Sequence, residues 1–164
     1  MPKRQVFFSF HFDNDVWRAA QVKNIGVVEG NESVSANEWE EIKRKGDESV
    51  KRWIDDQLGY RSCTVVLAGS ETSNRKWVKY EITRSWELGK GVVGICIHNL
   101  KDEDGNQSEE GTNPFSQFKI GDIGFDKIVK LYDPPFSSSK YVYEHIEENI
   151  EDWVEEAIKI REEF

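Results

Sequence analysis

The chain has 164 residues, 37% of them hydrophobic and 12% aromatic, so one domain with its own core is expected. The formal net charge of −9 argues against a nucleic-acid backbone or an anionic membrane surface as the main partner. No apolar run approaches a membrane span and the opening residues do not resemble a signal peptide, so we expect a cytoplasmic protein. Cys63 and Cys96 each lie in an apolar run, which favours buried free thiols over a disulfide or a metal pair.

The first third of the chain predicts two strands and three helices. Residues 5–12 are β-prone and predict a buried strand, and residues 13–26 predict a helix that Asp13 and Asn14 cap. A short second strand is expected at residues 26–30. Residues 35–38 match a capping box, which predicts a helix start, and Asp47 can cap a further helix that ends at Gly59.

Residues 63–88 are the stretch around which the rest of the chain is organised. Residues 64–67 form a continuous β-branched apolar run, which is typical of a strand buried on both faces of a parallel sheet. Residues 70–74 are rich in helix-capping side chains, and helical periodicity follows. Trp77 and Glu81 stand one turn apart near the start of this helix, at the sheet edge where α/β proteins bind ligands.

The remainder continues the alternation of strands and helices. Residues 92–97 predict another buried strand, 101–124 a long polar surface excursion, 127–131 a last strand, and 140–162 an amphipathic closing helix. Such alternation predicts a three-layer α/β sandwich built on a parallel sheet, in one domain spanning residues 1–164.

Several motif matches fail on their context. Residues 89–94 fit G-x-G-x-x-G, but they follow a helix and lead into a strand, the reverse of a dinucleotide fingerprint. Residues 102–106 only loosely resemble a calcium loop and predict a solvated turn. The three histidines are scattered; His11 and His98 either line a cleft or form hydrogen bonds at strand ends. We therefore predict no metal site and no tightly held cofactor.

Trp77 and Glu81 support two interpretations. The simpler one is a packed indole beside a surface glutamate. The functional one rests on the helix N-terminus, which favours an anionic ligand, on the hydroxyl-rich loop before it, and on Phe10, Phe12 and Trp39, which can converge on the same edge.

The motifs of the chain resemble those of a known family. Residues 7–11 resemble the first-strand motif of Toll/interleukin-1 receptor (TIR) domains, and residues 65–70, 73–77 and 80–81 resemble their third strand and following helix. The closer resemblance is to the TIR-like family of the Thoeris antiphage defence system. It extends over residues 14–18, 38–43, 52–55 and 97–101. The receptor-type loop with its Pro-Gly is absent from residues 27–35, and so is the C-terminal Phe-Trp box, so self-association of the receptor type is not implied.

The resemblance implies a flavodoxin-like fold with five parallel strands in the order 2-1-3-4-5. It implies cleavage of NAD at the nicotinamide–ribose bond, with NAD as substrate and no cofactor. The catalytic glutamate of the family maps onto Glu81 and its aromatic partner onto Trp77. The residues assigned to NAD binding are Ser9, Phe10, His11, Asn14, Trp39, Trp77 and Tyr80.

This chemistry is consistent with a single carboxylate. Nicotinamide leaves the cationic ring as a neutral molecule, so no general acid is required, and Glu81 can bind the ribose hydroxyls and stabilise an oxocarbenium-like transition state. The alternative is a non-enzymatic adaptor that binds a partner through the same surface. A phosphorylated receiver is disfavoured, because the third strand ends in Ala68-Gly69-Ser70 without an aspartate.

The expected product is a cyclic ADP-ribose isomer that diffuses to a separate NAD-depleting effector, as the resemblance to Thoeris TIR subunits implies. Cyclisation requires a folded-over substrate in a dry, aromatic-lined site. The 101–124 excursion can serve as a lid or as a partner-binding loop. A phage-derived trigger and a homo-oligomer are both compatible with this expectation.

Overall fold

The computed structural model describes residues 3–31 and 35–164. Its five helices are α1 (Phe12–Lys23), α2 (Ala36–Arg44), α3 (Asp47–Leu58), α4 (Lys76–Glu87) and α5 (Ser139–Glu162). The strands are β1 (Val6–Ser9), β2 (Cys63–Ala68), β3 (Gly91–Cys96), β4 (Lys119–Ile120), β5 (Ile123–Gly124) and β6 (Leu131–Tyr132). Residues 32–34, part of the segment compared with the receptor-type loop, lie outside the described residues.

The sheet has four parallel strands in the order β1-β2-β3-β6, flanked by helices on both faces. The predicted parallel α/β architecture is therefore confirmed, with four strands instead of five. The expected second strand is reduced to one parallel bridge between Gln5 and Glu29, on the outer side of β1. Gly26 has φ of +78°. Gly30 lies so close to the Phe8 ring that a Cβ atom at position 30 would collide with the ring. These glycines keep the segment from pairing over a longer stretch.

Two predicted boundaries are wrong. The first strand ends at Ser9 and not at residue 12, because Phe12 already begins α1, whose N-cap is His11 and not Asp13 or Asn14. The last strand is Leu131–Tyr132 and not residues 127–131. Residues 125–127 form a 3-10 turn that places Ile128 and Val129 in the core below the sheet instead of in the pairing.

Helix starts follow local chemistry where capping residues are present. Ser35 caps α2 as predicted, since its hydroxyl accepts a hydrogen bond from the Glu38 amide at 3.1 Å. Helix α3 begins after Gly46, which adopts φ of +101°. No described helix combines the length and apolar character needed to cross a membrane.

Successive side chains of each strand point to opposite faces of the sheet, so the core has one layer on each face. On β1, Val6 and Phe8 face the layer of α1 and α5, whereas Phe7 faces α3 and α4. On β2, Val65 and Leu67 belong to the first layer and Val66 to the second. Ser9 has the parity of Phe7, so its side chain is directed towards α4. The alternation of side chains along β1 therefore places Ser9 on the side of the sheet where the candidate site lies.

The 101–124 excursion is anchored and is not a simple surface loop. Phe115 is fully buried and packs over Gly94 of β3, where a Cβ atom would lie only 2.9 Å from the ring. At the other end, the Arg18 guanidinium donates hydrogen bonds to the carbonyls of Leu100 (2.8 Å) and Asn106 (2.9 Å). Strands β4 and β5 form a short antiparallel hairpin after the anchor. The predicted turn at residues 102–106 is present, with the Asp102 carboxylate accepting bonds from two backbone amides.

This anchoring generates a stability prediction. Phe115→Ala should lower the free energy of unfolding by about 3–5 kcal/mol, because it leaves a cavity between β3 and the excursion. Urea denaturation followed by circular dichroism measures the effect. The control is Phe136→Ala, at a side chain 43% exposed, which should cost less than about 1.5 kcal/mol. Equal losses in the two variants would show that the excursion is not held by Phe115.

Candidate functional site

A cleft opens at the carboxyl end of β1, between α1, α2 and the start of α4. It comprises two adjoining cavities of about 110 and 280 Å3. Phe10, Phe12 and Trp39 line both cavities, so these aromatic side chains form a shared wall. Phe10 stacks on Phe12 with ring centroids 6.2 Å apart and an interplanar angle of 24°. The first cavity is called the apolar arm below and the second the cationic arm.

Glu81 lies at the base of the apolar arm. Helix α4 buries Val78, Ile82 and Ser85 against the sheet, and Glu81 comes from the same face with only 7% of its surface exposed. The Ser9 hydroxyl donates a hydrogen bond to Glu81 Oε1 at 2.6 Å. Burial raises the pKa of Glu81 to about 8, although the Ser9 hydrogen bond opposes this shift. The carboxyl group therefore changes its charge close to neutral pH.

The rest of the apolar arm is built mainly from aromatic and aliphatic groups. Phe12, Val16 and Ala20 recur every four residues along α1 and present one helical stripe to the cavity. Trp53 of α3 closes the other side and contacts Trp39, with ring centroids 5.8 Å apart. A site lined in this way excludes water and gives electrostatic interactions more weight than they have in solvent.

Lys23 adds a second titratable group to the apolar arm. Burial, and secondarily the charge of Arg61, lowers its pKa, and its ammonium group lies 5.5 Å from the centre of the Phe10 ring. A carboxyl group with a raised pKa and an amine with a lowered pKa in one cavity is an arrangement found at functional sites.

The cationic arm contrasts with the net charge of the protein. It is lined by Lys43, Arg75 and Lys76, and Trp77 forms part of its wall. Among the described residues, Asp13 is its one acidic side chain. Arg75 is also the N-cap of α4, and no side chain among the described residues caps that helix start. Lys43 is paired with Glu40 at 2.8 Å and Lys76 with Asp47, whereas Arg75 has no ion pair among the described residues. The amides of the helix N-terminus and the Arg75 guanidinium together favour an anionic ligand group.

His11 also lines the cationic arm. Its Nδ1 atom is buried and has no hydrogen-bond partner in the part of the chain that the structure describes. Burial, followed by the nearby charge of Arg75, lowers the pKa of His11, so the ring is neutral at neutral pH. A neutral imidazole beside an anion-binding surface can accept or donate a hydrogen bond to a ligand.

The structure brings most of the predicted site residues together. Six of them line the cleft or bond to a side chain that does: Ser9, Phe10, His11, Trp39, Trp77 and Glu81. Asn14 lines neither cavity, and its amide group donates to the Ser70 hydroxyl at 3.3 Å. Tyr80 also lies outside both cavities, because its hydroxyl donates to Asp55 of α3 at 3.0 Å while its ring packs edge-on against Trp77.

Several lining residues were not found from the sequence: Val16, Ala20, Lys23, Asn31, Lys43, Trp53, Arg75 and Lys76. The four-residue spacing of Phe12, Val16 and Ala20 was visible, but residue 12 had been placed in the strand. The sequence around Lys23, Lys43 and Lys76 does not mark them as site residues, since surface lysines are common and these three come from three different helices. No metal site was predicted either, although Cys96, His98 and Asp133 do cluster, away from the cleft.

The pKa of Glu81 leads to a prediction about stability. The folded-state pKa, about 8, lies above the ordinary value of 4.5, so the folded protein binds more protons than the unfolded chain between these values. The contribution of Glu81 to stability should therefore be fully present below pH 4.5 and decline as the pH rises to 8. The steepest slope is about 1.4 kcal/mol per pH unit.

The measurement is urea unfolding of the wild type and of Glu81→Gln at several pH values between 4.5 and 8. Subtracting the two curves removes the contribution of all other groups. The wild type should lose stability relative to the variant as pH increases. Parallel curves would contradict a buried carboxyl group with a raised pKa.

Comparisons with known proteins agree with this architecture. Residues 7–102 match the family model described as "Thoeris protein ThsB, TIR-like domain". The chain is 42% identical over 135 residues to a Bacillus cereus (strain MSX-D12) protein named "Putative cyclic ADP-D-ribose synthase ThsB1", covering 79% of this chain and 70% of the relative. The matched segment contains α1, α2 and α4, which supply most of the residues that line the cleft. The chain belongs to the ThsB family of TIR-like proteins of the Thoeris system.

Proposed function

We propose that this protein cleaves the nicotinamide–ribose bond of NAD and converts the remainder into a cyclic ADP-ribose isomer that acts as a signal in antiphage defence. The observation that carries the proposal is the buried Glu81 carboxyl group, hydrogen-bonded to Ser9 at the base of an aromatic cavity. The relative named as a cyclic ADP-D-ribose synthase supports the same reaction. The protein acts in the cytoplasm, where its two buried free cysteines remain reduced.

The charge of Glu81 is coupled to substrate binding in this proposal. With a pKa of about 8, the carboxyl group of the empty site is largely protonated at neutral pH. The nicotinamide ring of NAD is a cation, and its entry into the apolar arm favours the carboxylate form. Glu81 then holds the ribose hydroxyls and stabilises the positive charge that develops on the ribose.

Bond breaking and closure follow from these contacts. The electron pair of the glycosidic bond moves to the pyridine nitrogen, and nicotinamide leaves as a neutral molecule. An internal nucleophile, either an adenine nitrogen or a hydroxyl of the distal ribose, then attacks the ribosyl carbon. If a hydroxyl attacks, its proton must be accepted, and a carboxylate with a pKa near neutrality is suited to this role. The dry wall formed by Phe10, Phe12 and Trp39 favours this attack over hydrolysis.

The cationic arm is suited to the pyrophosphate of NAD. Its cations stand on the opposite side of the shared aromatic wall from Glu81. A dinucleotide that places nicotinamide in the apolar arm can extend its phosphates towards Arg75 and the start of α4. Trp77 then offers a face for stacking close to the phosphates. We propose that Asn14 and Tyr80 act through the loop and helix that they hold in place, and not through NAD itself.

The signal is proposed to activate a separate NAD-depleting effector after phage infection. The effector does not have to contact this protein, because the product diffuses from one to the other. A homo-oligomer is compatible with the same model. An adaptor that acts only by contact would need neither the burial of Glu81 nor the cationic arm.

The first test replaces the carboxyl group. Glu81→Gln should lower nicotinamide release from NAD by about a hundredfold or more, because it retains size but cannot carry the charge that the transition state requires. The matched control is Glu87→Gln, at an exposed position on the same helix, which should retain wild-type activity. Small molecules from phage-infected cells are separated by chromatography and identified by mass spectrometry, so that an infection trigger is present.

The wild type and Glu87→Gln should produce a cyclic isomer, and their filtrates should activate the effector. Linear ADP-ribose as the sole product would refute the signalling function and leave NAD hydrolysis. Full activity of a folded Glu81→Gln protein would refute the catalytic role.

The second test concerns the cationic arm. Arg75→Gln should raise the KM for NAD about tenfold to a hundredfold with a smaller change in kcat, because a charge-assisted contact to phosphate is worth about 1.5–3 kcal/mol. The matched control is Arg52→Gln, an exposed arginine of α3 that lines neither cavity. Steady-state nicotinamide release as a function of NAD concentration measures both constants. An unchanged KM would exclude Arg75 from substrate binding.

A further inference from the structure

Three side chains with metal-binding groups converge where β3 and β6 end. Cys96, His98 and Asp133 each offer one ligand atom, and these atoms all lie within 4.8 Å of one another. Cys96 and His98 are buried, and Asp133 is exposed. None of the three lines the apolar or the cationic arm. The cluster is therefore independent of the proposed NAD reaction.

The topology explains why these residues meet. Strand β3 pairs in parallel with β6 through Gly94 with Leu131 and Ile95 with Tyr132, so Cys96 and Asp133 occupy the next rung. The chain stays extended beyond β3, since the Ile97 amide still bonds to the Ala68 carbonyl. His98 is the first residue of the turn that follows, in which the Leu100 amide donates to the Ile97 carbonyl at 3.0 Å. The register of β3 and β6 together with this turn brings the three groups together.

The local charge favours a cation. The carboxylates of Asp133 and Glu110 lie near enough to act electrostatically on the Cys96 thiol. Glu110 approaches because the neighbouring segment of the excursion folds over the strand end, where the Ser108 amide donates to the His98 carbonyl at 2.8 Å. Two carboxylates beside a thiol form a negative pocket that a divalent cation would neutralise.

We propose that Cys96, His98 and Asp133 bind one zinc ion, with solvent in the fourth position. Sulfur, imidazole and carboxylate ligands together are typical of zinc, whereas magnesium and calcium require oxygen ligands. In a tetrahedral site the donor atoms lie about 3.5 Å apart, so side-chain movements of about 1 Å would close the cluster around the ion.

The ion would join two segments that hold each other weakly. The β3–β6 pairing comprises only two rungs, and β6 is the edge strand of the sheet. Zinc would add a third cross-link at the carboxyl end, where the excursion and the start of the Pro134–Pro135 segment meet. Binding should therefore stabilise the folded state, since the unfolded chain does not hold the three groups together.

The experiment uses the full chain after removal of metal by a chelator. Isothermal titration with Zn2+ should give one ion per chain, and Zn2+ should raise the thermal unfolding midpoint. Titration with Co2+ should produce a sulfur-to-metal charge-transfer band, because the thiolate is a ligand. Cys96→Ala and Asp133→Asn should each weaken binding by more than about a hundredfold, beyond the cost of losing an outer-shell contact.

Each variant has a matched control. Cys63→Ala removes the other buried thiol, and Asp122→Asn removes an exposed aspartate of the β4–β5 turn; both should bind zinc as the wild type does. Asp133 is exposed, so Asp133→Asn tests the site even if the loss of the Cys96 thiol affects folding. Absence of zinc binding by the wild type would overturn the proposal. Undiminished binding by the Asp133→Asn and Cys96→Ala proteins would also overturn it.

Discussion

The hydrogen bond from the Ser9 hydroxyl to the Glu81 carboxyl group is the constraint on which the cleft depends. It joins the carboxyl end of β1 to α4, across 72 positions of sequence, at a point that solvent hardly reaches. A buried carboxyl group without a partner would be costly, so this contact limits where α4 can lie over the sheet. The same burial gives Glu81 a pKa of about 8. The burial of Glu81 thus accounts both for the position of α4 and for the raised pKa of the carboxyl group.

The cleft separates two kinds of chemistry on either side of one aromatic wall. The apolar arm is dry enough to shift the pKa of Glu81 upward and that of Lys23 downward. The cationic arm attracts anions despite the net charge of −9, because Arg75 and its lysine neighbours are concentrated at the start of α4. A dinucleotide with a cationic ring at one end and phosphates in the middle matches both arms. Neither arm alone would distinguish it from other nucleotides.

The excursion after β3 is held in place at both ends. Arg18 holds its beginning to α1, and Phe115 anchors its later half below β3. Between these points Gly111 packs so closely on the backbone of Ser70 that a larger residue would not fit. A segment fixed at both ends can shield a strand end. Its composition, polar and rich in glycine, predicts a surface excursion and gives no sign of these anchors.

The sequence by itself determined the α/β class, the strand–loop–helix unit of residues 63–88 and the helix cap at Ser35, and it singled out Glu81 and Trp77 as neighbours near a helix start. These features depend on local periodicity and capping, which neighbouring residues specify. Only the tertiary structure decided that Ser9 meets Glu81, that Arg75 and Lys43 share a cavity, and that Tyr80 bonds to Asp55. It also decided that Cys96 and Asp133 adjoin, because that contact depends on which strands pair and in which register. Pairing between distant segments leaves no local trace in the residues that it brings together.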